Sequence, residues 1–271
     1  PIPESSKTYT WEESKSIVLD SFKRFDSEFY DFAMKMYDEN RVHGPVQPKK
    51  RGGAYCSSST PDVGPYVMLN YLGRPRDIST ISHEFGHAIH AYYSNKQPLW
   101  SYHAILPLCE TASVFSEMVL MDYMREKETD TQAKIVMLCD KIEDLFATSH
   151  RQNMFSRFEM QAHERITDGL MSATDLADLY ESELKLMFSD SVIIPEEYRW
   201  EWSAIPHIYD VPFYVYSYNF GNLLVIALYQ HYLSEGNAFI PKLKHALSLG
   251  SSAAPIDICT ELGADICTAD F

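Results

Sequence analysis

No run of apolar residues in this 271-residue chain approaches the ~20 needed for a helix to cross a bilayer. That excludes a spanning-helix function and gives no reason to expect a membrane partner. The opening stretch, Pro1 to Lys7, has neither an initiator Met nor the basic-then-apolar pattern of a secretory leader. It reads as the start of a processed product or of part of a longer protein. Positive charge is scarce: 23 Lys and Arg stand against 38 Asp and Glu, for a net charge of −15. Phosphate binding needs a basic surface, so a nucleic-acid partner is not expected. Cysteine is sparse and odd in number, with five residues and no C-x-x-C spacing. This argues against a disulfide framework or a cysteine zinc site and points to a reducing cytoplasm. Repeats, low-complexity tracts and linkers are also missing. The basic turn Lys49-Lys50-Arg51-Gly52-Gly53 lacks the spacing of a phosphate loop.

What remains is an ordinary globular composition, 45% hydrophobic and 23% charged. Its patterning predicts one domain over residues 1–271, mainly α with a small β-sheet. Thr10-Trp11-Glu12-Glu13 has the form of a capping box. The apolar spacing after it predicts one helix from Trp11 to Asp38. Ala54-Tyr55-Cys56 and Pro65 to Tyr71 read as strands, the second rich in β-formers and ended by Gly73. A strand edge there offers a place for an extended peptide to pair, or the two form a hairpin that merely packs on a helix. Further helices are expected over Asp77 to Ser94, from Leu106-Pro107 to Lys127, Thr131 to Ile166, from Ser172 to Phe188, Phe213 to Leu233 and Lys242 to Leu249, with a last short one opened by Pro255. Trp200 to Asp210 is aromatic and irregular.

The chemistry is concentrated in Ser82-His83-Glu84-Phe85-Gly86-His87-Ala88-Ile89-His90, which contains H-E-x-x-H. On a helix, residues i and i+4 share one face. The imidazoles of His83 and His87 can therefore converge on one Zn²⁺, leaving Glu84 free as a general base toward water. A third ligand must come from elsewhere. His90 projects a turn further along the same axis and is poorly placed to close around the metal. Glu110 lies 27 residues beyond His83, far enough for a second helix to return antiparallel. Its followers Thr111, Ala112 and Ser113 are small enough for close helix approach. Glu117, two turns on, suits the role of holding a ligand histidine. Gly86 weakens the motif helix and signals close approach by another element. Tetrahedral chemistry at a peptide carbonyl also needs oxyanion donors. His207, Tyr209, Tyr214 and Tyr216 form a dense set of candidates, although aromatics at this density more often build a core.

Taken together, His83 to His90, Glu110-Thr111-Ala112-Ser113 with Glu117, Ile205 to Tyr209 and Pro212 to Tyr216 resemble the thimet oligopeptidase family, and most of all its oligoendopeptidase F branch. Arg51-Gly52-Gly53-Ala54-Tyr55 and Leu69-Asn70-Tyr71 are similar to that branch as well, so the likeness runs from about Tyr9 to Phe271. The resemblance implies a zincin-like catalytic domain and a zinc-dependent endopeptidase that cuts short unstructured peptides in a channel between helical halves. It implies His83, His87 and Glu110 as ligands of one Zn²⁺, Glu84 as base, and His207 with a nearby tyrosine at the substrate or oxyanion. Gly53, Ala54, Tyr55, Tyr66 and Asn70 then line the substrate channel. Members of that family are longer, with a large helical part ahead of the zinc half, so a catalytic fragment is expected. Two alternatives stay open: a zinc carboxypeptidase of related helical architecture, and a non-catalytic peptide-binding module. The intact Glu84 speaks against the second, since metal binding by the histidines does not require it.

Overall fold

The computed structural model describes residues 7–268. The opening residues 1–6 and the final residues 269–271, where the family likeness ends, lie outside them. The described chain is mostly helical and separates into two compact units. Of the described residues, the first comprises 7–139 and 223–268, and the second 140–222.

In the first unit, helix α1 (Trp11–Phe25) begins at the expected capping box: the Glu13 N–H donates to Thr10 Oγ1, and the Glu13 carboxylate accepts the Thr10 N–H at 2.7 Å. The single long helix expected from Trp11 to Asp38 is two helices. Asp26 takes an extended conformation, φ −159° and ψ 135°, and its carboxylate caps the N–H groups of Glu28 and Phe29. Helix α2 (Ser27–Asp38) then starts afresh. An aspartate prefers that capping role to a place inside a helix, and Lys244 anchors it with an ion pair of 2.7 Å.

Three short strands follow: β1 (Val42–His43), β2 (Tyr55–Ser57) and β3 (Tyr66–Met68). β3 lies in the middle, parallel to β1 and antiparallel to β2, with Cys56 opposite Val67 and Ser57 opposite Tyr66. β2 is therefore an edge strand.

The motif helix is α3 (Pro75–Ser94). Pro75 suits its first position, and Asp77 accepts the N–H groups of Leu72 and Arg74 at 2.8 and 3.0 Å. Its apolar face, Ile78, Ile81, Phe85 and Ile89, is fully buried with Phe22 and Tyr37 against Phe85. After the short helices α4 (Leu99–Tyr102) and α5 (Leu106–Cys109), α6 (Thr111–Lys127) returns along α3. The pairings fix an antiparallel hairpin: Ser82 Oγ donates to the Ser116 carbonyl at 2.9 Å, and Gly86 lies against Ala112 and Ser113.

Helix α7 (Thr131–Phe146) carries the chain into the second unit. The amphipathic stretch that follows is interrupted at Ala147–Arg151 by a π-helical turn before α8 (Gln152–Asp168). Helix α9 (Ala173–Phe188) opens at the expected capping box of Ser172 and Asp175. Met154, Phe155, Phe158, Leu179, Tyr180 and Leu184 form the core of this unit with Val215. The aromatic stretch is ordered as a 3₁₀ segment, Glu196–Ala204, and then α10 (Pro206–Asp210). Helix α11 (Tyr216–Glu235) starts three residues later than its apolar pattern suggests, because Phe213 adopts a left-handed φ of 60°. It leads back to the first unit, where α12 (Ile240–Ser248) packs on α3 and α13 (Pro255–Glu261) ends the described helices.

Candidate metal centre

Helical spacing alone brings His83 and His87 together: their Nε2 atoms are 3.2 Å apart. Glu110 arrives from the other arm of the hairpin. It does not lie within a helix but is the cap residue of α6, with φ −86° and ψ 0°. Its Oε2 is 3.4 Å from the Nε2 of each histidine. Three ligand atoms thus face one point. Zinc bonds of ~2.0–2.1 Å in a tetrahedron place ligand atoms about 3.4 Å apart, so the residues present fit such an ion. Among the described residues, these three form a group of His, Cys, Asp and Glu that could hold a metal ion.

Neighbouring groups orient and charge these three residues. Glu117 Oε1 lies 2.6 Å from His83 Nδ1. With Nδ1 donating to that carboxylate, loss of the Nε2 proton would free a lone pair there for a cation. Burial opposes charging His83, but the hydrogen bond and charge of Glu117, with Glu110 and Glu84, push its pKa up to about 9. His87 is hydrogen-bonded to the Cys109 backbone, and burial brings its pKa down to about 4. Burial works against the Glu110 carboxylate, yet His87 and His83 hold its pKa below the usual value. Ser113 Oγ steadies it from one turn into α6, donating to Oε2 at 2.8 Å.

Glu84 sits beside the ligands without joining them. It is 6% exposed. Burial raises its pKa to about 7, with His83 opposing and the Glu110 and Glu117 charges adding. A hydrogen bond from the Cys56 backbone ties it to strand β2. A carboxylate with a pKa near neutrality can both take and return a proton.

His90 stays out of the cluster. It is buried, its pKa lowered to about 4 by burial with help from His87 and His103, and it lines a small apolar cavity with Leu108, Thr111, Leu243 and Leu247.

The remaining predicted residues fall in two places. Tyr55 and Tyr66, on the paired strands β2 and β3, are 44% and 48% exposed. Gly53 has φ 78°, and the Asn70 amide donates to the Arg51 and Gly53 carbonyls at 2.8 Å each, fixing the turn ahead of Ala54 and Tyr55. In the second unit, the rings of His207 and Tyr214 stack at 5.9 Å. Tyr209 and Tyr216 are exposed, Tyr209 beside Trp202. Sequence reading missed Tyr218, whose hydroxyl is 3.1 Å from His207 Nε2. The signal was its i+4 spacing from Tyr214. It also missed the backbone contributions of Cys56 and Cys109, for which no side-chain pattern exists.

Comparison with known proteins adds three kinds of likeness. The family described as Peptidase family M3 matches residues 26–271. Oligopeptidase PepF of Bacillus subtilis (strain 168) is 31% identical over 268 residues, covering 98% of this chain and 40% of that protein. An oligoendopeptidase F homolog of Borreliella burgdorferi is 33% identical over 221 residues, covering 80% of this chain and 37% of that protein. The chain thus spans well under half the length of these curated relatives. A crystal structure of a candidate peptidase from Chlamydophila abortus superposes with a TM-score of 0.82 at 29% identity, over 98% of this chain and 45% of that one.

Proposed function

The chain belongs to peptidase family M3, and from that premise we propose that it is the zinc-dependent catalytic part of an endopeptidase of the oligoendopeptidase F kind. Its substrates are short, unstructured peptides, and its compartment is the cytoplasm. The whole chain serves as one catalytic domain. The observation that carries this reading is the spacing of 3.2, 3.4 and 3.4 Å among His83 Nε2, His87 Nε2 and Glu110 Oε2, with Glu84 outside that set.

His83, His87 and Glu110 hold the zinc, and Glu117 orients His83. Bound there, zinc supplies a Lewis acid that makes a water acidic near neutral pH and polarises a peptide carbonyl. Glu84 is the general base. Its buried carboxylate takes the proton from water and later delivers it to the leaving amine. His207 and a tyrosine among Tyr209, Tyr214 and Tyr216 donate to the developing oxyanion. The exposed edge at Gly53, Ala54 and Tyr55, with Tyr66 and Asn70 behind it, takes the substrate backbone as an added strand.

The test is metal analysis of the parent and Glu84→Gln, with cleavage of a quenched-fluorescent peptide. About one zinc per chain is expected in both, with cleavage in the parent alone. Product sizes separate internal cleavage from removal of single C-terminal residues. Protein that neither contains zinc nor takes it up on addition would refute the site.

A further inference from the structure

The residues read as oxyanion donors flank a turn that a polypeptide does not adopt readily. The Tyr214 N–H donates to the Val211 carbonyl at 3.2 Å, with Pro212 and Phe213 at the two central positions. Proline suits the first of these. The second, at φ 60°, belongs to the left-handed region where glycine is at ease and a bulky residue is strained. Such a conformation persists only where its surroundings over-determine it.

Helix α8 does so twice. Glu159 is 1% exposed, and its Oε1 accepts the Phe213 N–H at 2.7 Å. One turn along, the His163 ring packs 4.7 Å from the Phe213 ring. A carboxylate is costly to bury unless its oxygens are hydrogen-bonded, and here the partner is the backbone of the strained residue itself. Next in sequence, Tyr214 stacks on His207 and meets the Tyr218 ring edge-on at 4.9 Å. Tyr216 begins α11. The direction in which the chain leaves Phe213 therefore decides where both tyrosines stand relative to His207.

We propose that Glu159 is a positioning residue for the substrate-facing donors. By accepting the Phe213 N–H it holds the Val211–Tyr214 turn left-handed, and so fixes Tyr214 against His207. The inference rests on the reading of His207 and its tyrosines as groups that meet the substrate.

Three variants of the zinc-loaded chain test it. Glu159→Met has similar length without an acceptor. Glu159→Gln keeps an acceptor oxygen. Glu159→Met combined with Phe213→Gly lets the turn form unaided, because glycine populates positive φ freely. Amide hydrogen exchange over residues 211–216 is measured with zinc content, kcat and KM. Glu159→Met is expected to speed exchange in that segment and lower kcat by roughly 10- to 100-fold, the usual consequence of a misplaced catalytic contact, with zinc content and KM little changed. Glu159→Gln should fall between it and the parent, and the added Phe213→Gly should restore most of the lost kcat. Unchanged exchange at 211–216 in Glu159→Met overturns the proposal, as does a kcat loss that Phe213→Gly fails to recover. Should Glu84→Gln cleave as well as the parent, the peptidase reading fails, and the exchange measurement still decides whether Glu159 holds the turn.

Discussion

Gly86 and Ser113 meet where helices α3 and α6 pack together: a Cβ on Gly86 would overlap the Ser113 Cα and lie 2.5 Å from the Ala112 carbonyl oxygen. Both obstructing atoms are backbone, so neither can rotate away. Replacing Gly86 by alanine improves helix propensity by up to ~1 kcal/mol but forces the hairpin apart. Overpacking of this kind costs about 1–3 kcal/mol. Gly86→Ala is therefore expected to lower stability in a urea titration and to weaken zinc binding, since Glu110 moves with α6. A more stable variant would show that the helices are not held this closely.

Removing the partner of a ligand acts more gently than removing the ligand. Glu117 fixes His83 through a 2.6 Å contact to Nδ1. Glu117→Ala should reduce zinc affinity by roughly 10- to 100-fold while leaving a site that fills at high zinc. Competition against a chelator of known affinity measures this. An unchanged affinity would reduce Glu117 to a bystander.

Two neighbours of the histidine pair are separated by a direct comparison. Glu110→Ala should abolish stoichiometric zinc, because it removes the member of the proposed ligand set that stands at the start of α6. His90→Ala should retain about one zinc per chain, since His90 faces Leu108, Thr111 and Leu243 and stands apart from the ligand cluster. The reverse pattern in metal analysis would exchange their roles.

Burial of His90 is expected to make folding sensitive to acid. Its pKa is lowered to about 4 by burial, then by His87 and His103, against an unfolded value near 6.5. Between these values the unfolded chain binds a proton that the folded chain refuses, so stability rises with pH across that window. It is fully present above about pH 6.5 and lost as pH falls toward 4, by a contribution on the order of 3 kcal/mol. His90→Asn should flatten this part of the stability profile in denaturant titrations from pH 4 to 7. An unaltered slope would place the acid sensitivity elsewhere.

The clustering of His83, His87 and Glu110 was legible because a helix converts sequence spacing into geometry. His83 and His87 need only the i+4 rule, and Gly86 with the small residues after Glu110 announced the close approach. Glu110 as a helix cap, rather than a residue within a helix, was less visible, since Leu106-Pro107 looks like a suitable start for the same helix. The break at Asp26 was missed because Phe22, Phe25, Phe29 and Phe32 keep helical spacing across it. Only the capping preference of one aspartate interrupts the chain there. Strand β1 is two residues long and is held by pairing with β3, a tertiary event with no local pattern. The left-handed Phe213 contradicts its own residue type and follows from Glu159, 54 positions away in sequence.

The first unit is discontinuous in sequence, whereas the three residues proposed to hold its metal all lie in the earlier stretch. His83, His87 and Glu110 emerge together during synthesis, yet α12, which packs on α3, begins only at Ile240. The intervening 130 residues (240 − 110) take on the order of ten seconds to translate. For that interval the nascent hairpin already carries its complete cation-holding set without its finished core. Zinc captured then would act as a template for the fold, and metal starvation would be felt as a defect of biogenesis before it was felt as a loss of activity.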